Sequence, residues 1–201
     1  MKKILIIILA LITITSINAQ DFENQNFEKL KDMFIIVLDI QTGYTQSTKL
    51  KKSATKMITY VNSVIENADA NNVIYIKSSH KLLNLSLSRP FIYTTIDSTA
   101  IWDLDSRLKI INENIFKKEK NDAFTIQKLR CFLDDNKAKK IIVVGLLAEQ
   151  CIFETLYGAK ELGYEMYVIP EAVIGKSEKS KRKMIRYFKK EGINILQLKN
   201  H

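Results

Sequence analysis

The stretch Gly145-Leu146-Leu147-Ala148-Glu149-Gln150-Cys151 does most to decide the fold of this chain. It directly follows the apolar run Ile141 to Val144, and it leads into a helix-like segment, Ile152 to Leu162, that Gly163 closes. A short apolar run, a turn and then helical spacing predict a buried strand that passes directly into a helix. Cys151 therefore lies at a predicted strand-to-helix junction.

The position of Cys151 suggests a chemical role. The N–H groups in the first turn of a helix have no intrahelical partner and carry partial positive charge, so they favour a thiolate. A thiolate with a lowered pKa is a nucleophile. The alternative is that Cys151 is a small buried apolar residue, and this segment alone leaves both interpretations open.

Buried strands and amphipathic helices alternate along the rest of the chain. The predicted strands are Met33 to Leu38, Val73 to Ile76, the short Ile115-Phe116, Ile141 to Val144, Tyr164 to Ile169 and Ile193 to Leu198. The predicted helices are Thr48 to Asn67, Thr125 to Asn136, Ile152 to Leu162 and Ser177 to Lys190. This alternation predicts an α/β fold, in which a doubly wound, mainly parallel sheet lies between two helical layers in an αβα arrangement.

One segment, residues 78–111, has no clear periodicity. It contains Pro90 and Trp102, and we expect loops and short pieces that line a site.

The first nineteen residues differ from the rest and predict a signal peptide. Two lysines follow Met1, Ile4 to Ile12 is apolar throughout, and the small residue Ala19 precedes Gln20. This order is typical of a secretory signal. The apolar run is shorter than the roughly 20 residues of a membrane-spanning helix. We expect residues 1–19 to be removed and residues 20–201 to form one domain of a periplasmic or secreted protein that is free of the membrane.

The positive charge of the chain does not indicate a nucleic-acid site. The formal net charge is +9, and removal of Lys2 and Lys3 leaves +7. The basic residues form scattered clusters, and aromatic residues do not interleave with them as a base-stacking surface requires. The cluster from Lys176 to Lys190 fits the exposed face of one helix, with Met184, Ile185 and Phe188 on its apolar face.

The two cysteines do not form a disulfide scaffold, although export would place them in an oxidising compartment. Cys131 lies at helical spacing, and we expect it to face the core. A bridge between Cys131 and Cys151 would need Cα atoms within about 7 Å of each other, and the sequence leaves that pairing open.

Asp39 and Cys151 both follow predicted strands. An aspartate at a strand end is by itself more often a turn residue. In a parallel sheet, however, the carboxyl ends of the strands share one edge, where ligands bind. We therefore expect Asp39 and Cys151 to lie at the same edge.

Three separated segments resemble one family. They are Ile35-Ile36-Val37-Leu38-Asp39-Ile40-Gln41, Lys118-Glu119-Lys120-Asn121-Asp122-Ala123-Phe124, and Gly145 to Cys151 with Ile152 and Thr155 after it. In this order and spacing they resemble the isochorismatase-like cysteine hydrolases, which include nicotinamidases and N-carbamoyl amide hydrolases. The similarity extends over roughly residues 33–195 and implies the isochorismatase-like, Rossmann-like version of the predicted fold.

The resemblance implies a catalytic triad of Asp39, Lys118 and Cys151. Lys118 would keep Asp39 ionised, Asp39 would take the thiol proton and later return it to a leaving amine, and Cys151 would attack a carbonyl. Lys118 is preferred to the neighbouring Lys117 and Lys120 because its spacing to Ala123-Phe124 matches the family motif.

The resemblance also implies an oxyanion hole and a distinctive peptide bond. The backbone N–H groups of Leu147 and Cys151 would hold the oxyanion, and a cis peptide bond would precede Leu147. Gln41, Tyr44 and Trp102 are weaker candidates for substrate contact, and Trp102 is more often a core residue than a ligand platform. Arg89 could meet a substrate carboxylate or form a surface ion pair.

The chain departs from the metal-dependent nicotinamidases that it resembles. Those enzymes carry an Asp-x-His pair and further histidines, whereas the corresponding stretch here is Lys77-Ser78-Ser79-His80. The only other histidine is His201. One histidine cannot build such a site, so we predict no catalytic metal and no cofactor.

The resulting functional prediction is a metal-independent hydrolase of an amide or carbamoyl C–N bond in a small molecule. One alternative is an exported small-molecule-binding protein with an inactive triad, and another is vinyl-ether hydrolysis as in isochorismatase itself. The expected partner is a small-molecule substrate. Family members often form dimers or larger assemblies, so a homo-oligomer stays open.

Overall fold

The computed structural model describes residues 30–79 and 102–197, together with the backbone of two short strands at 85–86 and 89–90. The predicted signal peptide, His80, His201 and the side chain of Arg89 lie outside the described residues.

The described strands form one six-stranded sheet and one separate hairpin. The six strands pair in parallel throughout, in the order β5-β2-β1-β6-β7-β8, whereas β3 and β4 pair antiparallel with each other. Their bounds are β1 Phe34–Leu38, β2 Val73–Ser78, β3 Leu85–Ser86, β4 Arg89–Pro90, β5 Ile115–Lys118, β6 Lys140–Leu146, β7 Glu165–Ile174 and β8 Asn194–Ile195.

The helices connect these strands. Their bounds are α1 Thr42–Thr45, α2 Lys51–Glu66, α3 Gln127–Asp135, α4 Cys151–Glu161 and α5 Glu178–Lys190, with single 3₁₀ turns at Ala70–Asn72 and Ala123–Thr125. Ser177 caps α5, because its side chain accepts a hydrogen bond from the Ser180 N–H. Within the described ranges, none of the helices is long and apolar enough to cross a membrane.

The side chains of β1 divide the core into two layers. Ile35 and Val37 belong to the apolar cluster that α2 covers, whereas Ile36 and Leu38 belong to the cluster that α3, α4 and α5 cover. This alternation follows from the two-residue period of a strand. The predicted three-layer αβα fold with a parallel sheet is confirmed.

Two local predictions were wrong. The helix predicted from Thr48 begins at Lys51, and the short α1 that precedes it was not predicted. Cys131 is exposed rather than buried, because α3 contacts the core through Leu129 and Leu133. Cys131 lies two positions from each of them, on the opposite side of the helix. Both cysteines are free.

The strand order places a topological switch between β1 and β6. From β1 the chain adds β2 and β5 on one side, and it then crosses to add β6, β7 and β8 on the other. Ligands bind beyond the carboxyl ends of strands at such a switch point. Gly145 allows the close approach of the two strands there, since a Cβ at this position would lie 2.1 Å from the Leu38 carbonyl oxygen.

Candidate active site

Asp39, Lys118 and Cys151 converge at the switch point. Asp39 directly follows β1, Lys118 is the last residue of β5, and Cys151 is the first residue of α4. Lys118 Nζ lies 3.0 Å from Asp39 Oδ2 and 3.2 Å from Cys151 Sγ. The Cys151 thiol also hydrogen-bonds to Asp39. The three side chains predicted from the sequence therefore contact one another in pairs.

The register of β5 decides which lysine enters the site. Lys118 pairs with Ser78 of β2 at the end of the sheet, and its side chain is fully buried, whereas Lys117 is exposed. Successive side chains of a strand point to opposite faces, so only one of the two lysines can reach Asp39. A buried ammonium needs a charged partner, and Asp39 supplies it.

Asp39 has an unusual backbone conformation. Its φ is +58°, in the left-handed region that residues other than glycine rarely adopt. Its N–H donates to the Ile76 carbonyl at 3.0 Å, and its own carbonyl accepts from the Gln41 N–H at 2.8 Å. The neighbouring strand and the following turn thus hold a strained conformation, of the kind that clusters at functional sites.

The thiol of Cys151 is harder to ionise than its place in the sequence suggested. Burial and the neighbouring Asp39 carboxylate together raise the pKa of Cys151 to about 12, although the Lys118 ammonium lowers it. The sequence left open whether the helix start lowers this pKa; here burial and Asp39 oppose that effect, because a buried sulfur beside a carboxylate is destabilised as an anion. The resting site holds a neutral thiol that must lose its proton to a base before it can attack.

The loop from Leu146 to Cys151 is held by backbone hydrogen bonds. The Leu146–Leu147 peptide bond is cis, as the resemblance implied. Ala148 N–H donates to the Ile174 carbonyl at 2.9 Å, and Gln150 N–H donates to the Leu147 carbonyl at 3.0 Å. Within the described part of the chain, the N–H groups of Leu147 and Cys151 donate to no backbone carbonyl. Among the described residues, this leaves both groups without a backbone acceptor, as the predicted oxyanion hole requires.

The side chain of Glu149 anchors the same loop from outside. Its two carboxylate oxygens accept from the Lys176 N–H at 3.1 and 3.2 Å. This contact fixes the loop to the turn between β7 and α5, close to Gly175, where a Cβ would lie 2.5 Å from Glu149 Oε1.

A cavity of about 100 Å³ opens beside the sulfur. Its wall is mainly apolar, and a few polar groups lie near the triad. Among the described residues, the lining consists of Asp39, Tyr44, Leu50, Ser78, Asn121, Leu146, Leu147, Gln150 and Cys151.

The aromatic candidates take different positions. Tyr44 lines the cavity, and burial raises its pKa to about 12, with a further contribution from Asp39. Trp102 is not among the described lining residues. It packs edge-on against Tyr44, with ring centroids 5.3 Å apart at 75°. Trp102 therefore supports the wall of the cavity, and the predicted direct contact with a substrate fits Tyr44 only.

The side chain of Gln41 hydrogen-bonds to backbone groups of two other segments. The residue is fully buried. Its Nε2 donates to the Ser78 carbonyl at 3.1 Å and to the Trp102 carbonyl at 2.6 Å, and its Oε1 accepts from the Ser78 N–H at 2.7 Å. Because both ends of the amide are occupied, the described contacts give Gln41 a structural role, and its substrate contact stays a prediction.

Asn121 is a site residue that the sequence reasoning missed. It lines the cavity, its Oδ1 lies 3.7 Å from Cys151 Sγ, and its Nδ2 donates to Glu154 Oε1 at 2.7 Å. It lies inside a segment that carried the family resemblance. The sequence signal that could have found it is its position: it lies three residues after Lys118, the last residue of β5, and so near the same edge of the sheet.

The residues of the site do not form an evident metal centre. Within the described ranges, no group of three or more His, Cys, Asp and Glu side chains is arranged to hold a metal ion. Both histidines lie outside those ranges, so the absence of a catalytic metal stays a prediction.

One family of known proteins matches most of this chain. The isochorismatase domain model matches residues 33–199. A search of curated proteins finds no match.

Solved structures share the fold at low sequence identity. An isochorismatase family protein from Desulfovibrio vulgaris has a TM-score of 0.72 at 17% identity, over 84% of this chain and 95% of that chain. N-carbamoylsarcosine amidase from Thermoplasma acidophilum has a TM-score of 0.69 at 15% identity, over 85% and 98%. A zinc complex of pyrazinamidase from Pyrococcus horikoshii has a TM-score of 0.65 at 22% identity, over 83% and 99%.

The fold, the site at the switch point and the domain match over most of the chain lead to one conclusion. This protein belongs to the isochorismatase-like hydrolase family.

Proposed function

We propose that this protein is a metal-independent cysteine hydrolase that cleaves the C–N bond of a small-molecule amide or carbamoyl group, with Cys151 as the nucleophile. The observation that carries the proposal is that the side chains of Asp39, Lys118 and Cys151 contact one another beside a cavity. The names of two structural neighbours, an N-carbamoylsarcosine amidase and a pyrazinamidase, agree with this reaction class.

Asp39 acts first as the general base. The raised pKa of Cys151 keeps the sulfur protonated at neutral pH, so catalysis needs a base in direct contact with the thiol. The carboxylate of Asp39 is that base. Lys118, 3.2 Å from Sγ, stabilises the thiolate as the proton leaves.

The thiolate then attacks the carbonyl carbon and forms a tetrahedral intermediate. The N–H groups of Leu147 and Cys151 hold the negative oxygen, and one such donor typically contributes about 10²–10³ in rate. Because backbone hydrogen bonds and the Glu149 side chain hold this loop in place, the two donors need no large rearrangement when the substrate binds.

Collapse of the intermediate breaks the C–N bond. Asp39 returns the proton to the nitrogen, which leaves as ammonia or an amine, and the acyl or carbamoyl group stays on Sγ as a thioester or thiocarbamate. Asp39 then takes a proton from water, and the resulting hydroxide attacks the same carbon. The acid is released, and the proton returns to the sulfur.

Metal independence and export rest on the sequence. His80 and His201 are the only histidines of the chain, which is too few for the ligand set of the metal-dependent relatives. The signal-like segment at residues 1–19 supports a periplasmic or secreted location. The small cavity supports a compact substrate.

The test is ammonia release by the full chain from acetamide, propionamide, benzamide and N-carbamoylglycine, before and after treatment with a chelator. We expect release from at least one compound, unchanged by the chelator. Cys151→Ala should reduce the rate by about 10³-fold or more. The matched control is Cys131→Ala, because Cys131 is exposed on α3, and its rate should stay within about twofold of the unmodified chain.

Each negative result has a separate meaning. Binding of these amides without ammonia release, in the unmodified chain and in Cys151→Ala alike, would favour the binding-protein alternative. Release that Cys151→Ala retains would remove Cys151 from the mechanism. Release that the chelator abolishes would overturn metal independence alone.

A further inference from the structure

The side chain of Asn121 lies between the nucleophile and the surface of α4, and the proposed triad does not use it. We propose that Asn121 Oδ1 accepts a hydrogen bond from the nitrogen of the scissile amide and thereby selects amides over esters. This inference rests on the proposed function and extends it to the choice of leaving group.

The orientation of the Asn121 amide follows from its outer partner. Glu154 Oε1 lies 2.7 Å from Asn121 Nδ2. An ionised carboxylate only accepts hydrogen bonds, so the end of the amide that faces Glu154 must be the NH₂ group. The carbonyl oxygen then faces the cavity, where it lies 3.7 Å from Cys151 Sγ. Glu154 therefore fixes an acceptor beside the nucleophile.

The backbone of Asn121 is attached to the helix that carries Cys151. The Thr155 hydroxyl donates to the Asn121 carbonyl at 3.4 Å and accepts from the Ala123 N–H at 3.1 Å. Thr155 is fully buried in α4. The acceptor, the nucleophile and the carboxylate that orients the acceptor thus belong to one packed unit, which is what a positioning role requires.

The geometry of attack brings the substrate nitrogen close to this acceptor. For reaction, the carbonyl carbon must approach Sγ to about 3–3.5 Å, with its oxygen toward the N–H groups of Leu147 and Cys151. The scissile nitrogen is bonded to that carbon. An oxygen 3.7 Å from Sγ comes within hydrogen-bonding reach of an N–H on the nitrogen when the leaving group is turned toward Asn121, which is the orientation we propose.

An ester leaves this acceptor without a donor. Its alkoxy oxygen carries no hydrogen and would place its lone pairs against Oδ1. A site built to hydrogen-bond a substrate N–H rejects an analogue that lacks it, because the protein group then remains without a partner. Asn121 should therefore raise the ratio of amide to ester hydrolysis.

The experiment compares kcat/KM for each amide of the panel with that for the methyl ester of the same acid, in the full chain and its variants. Asn121→Leu keeps the size of the side chain and removes the acceptor. We expect the amide-to-ester ratio to fall about tenfold, while ester hydrolysis changes by less than about threefold. Glu154→Gln should lower the ratio by about threefold, since a glutamine can donate to Oδ1 and let the asparagine turn.

The controls separate this inference from the proposed function. Glu161→Gln changes another exposed carboxylate of α4 and should leave the ratio unchanged. Glu154 is exposed, so its variant keeps the test valid even if Asn121→Leu fails to fold. Unchanged ratios in Glu154→Gln and in any folded Asn121→Leu, with Cys151→Ala inactive, would overturn the role of Asn121 alone. If the chain hydrolyses no amide, or if Cys151→Ala stays active, the proposed function fails and this inference fails with it.

Discussion

Replacing Gln41 by methionine removes a buried amide and keeps a side chain of similar length. In the structure this amide joins the chain after β1 to both backbone groups of Ser78 and to the carbonyl of Trp102. The variant leaves the Ser78 N–H and two carbonyl oxygens without their partner. It therefore tests whether Gln41 supports the site or contacts a substrate.

The expected cost follows from these three hydrogen bonds. A typical intramolecular hydrogen bond contributes about 1 kcal/mol net, and a buried group left without a partner costs about 1–3 kcal/mol. Methionine recovers part of this through apolar burial, so we expect a loss of about 3 kcal/mol in the free energy of unfolding. In a domain of this size, that loss lowers Tm by roughly 6–12 °C.

The assay is urea unfolding of the full chain, with kcat/KM measured in parallel. The matched control is Gln127→Met, because Gln127 is exposed at the start of α3, and it should change the free energy of unfolding by less than about 0.5 kcal/mol. A loss below about 1 kcal/mol in Gln41→Met, together with a large rise in KM, would refute the structural role and favour the predicted substrate contact.

Three further substitutions test other parts of the fold. Gly145→Ala should cost more than about 3 kcal/mol or prevent folding, because its φ is +119° and a Cβ would lie 2.1 Å from the Leu38 carbonyl oxygen; a thermal melt within 3 °C of the unmodified chain would contradict this. Hydrogen bonds from Arg107 lower the pKa of Asp105 to about 2, so Asp105→Asn should cost about 2 kcal/mol near pH 7. The difference in the free energy of unfolding between the two chains should shrink as the pH falls from about 4 to 2. Urea unfolding measures this difference, and a constant value over this pH range would contradict the interaction. Thr155→Val should cost about 1–3 kcal/mol by leaving the Ala123 N–H without its acceptor; hydrogen exchange at that amide should accelerate, and unchanged protection would refute the assignment.

Much of the fold could be predicted because apolar periodicity reports burial directly. The run Phe34 to Leu38 is buried throughout, as a strand covered on both faces must be. The shared edge of Asp39 and Cys151 could also be predicted, since both follow strands and parallel strands share one carboxyl edge, whereas Lys118 came from the family resemblance. Motif spacing selected Lys118 correctly as the buried lysine, and the strand period gives the physical reason.

Other features depend on contacts that no local pattern encodes. The direction of the Cys151 pKa is set by burial and by Asp39, which lies more than a hundred residues away in the chain. The hydrogen bonds of the Gln41 side chain depend on the backbone groups of Ser78 and Trp102, which only the folded chain brings near. Cys131 was misplaced because an amphipathic helix of nine residues fits more than one choice of buried face.

The protonated state of the Cys151 sulfur also affects how readily it is oxidised. Peroxides and disulfides react with thiolates far faster than with thiols. A thiol whose pKa is raised to about 12 by burial and Asp39 should therefore be slow to oxidise. The contacts that delay the ionisation of Cys151 should thus also protect its sulfur, and we expect the exposed Cys131 to react with oxidants first.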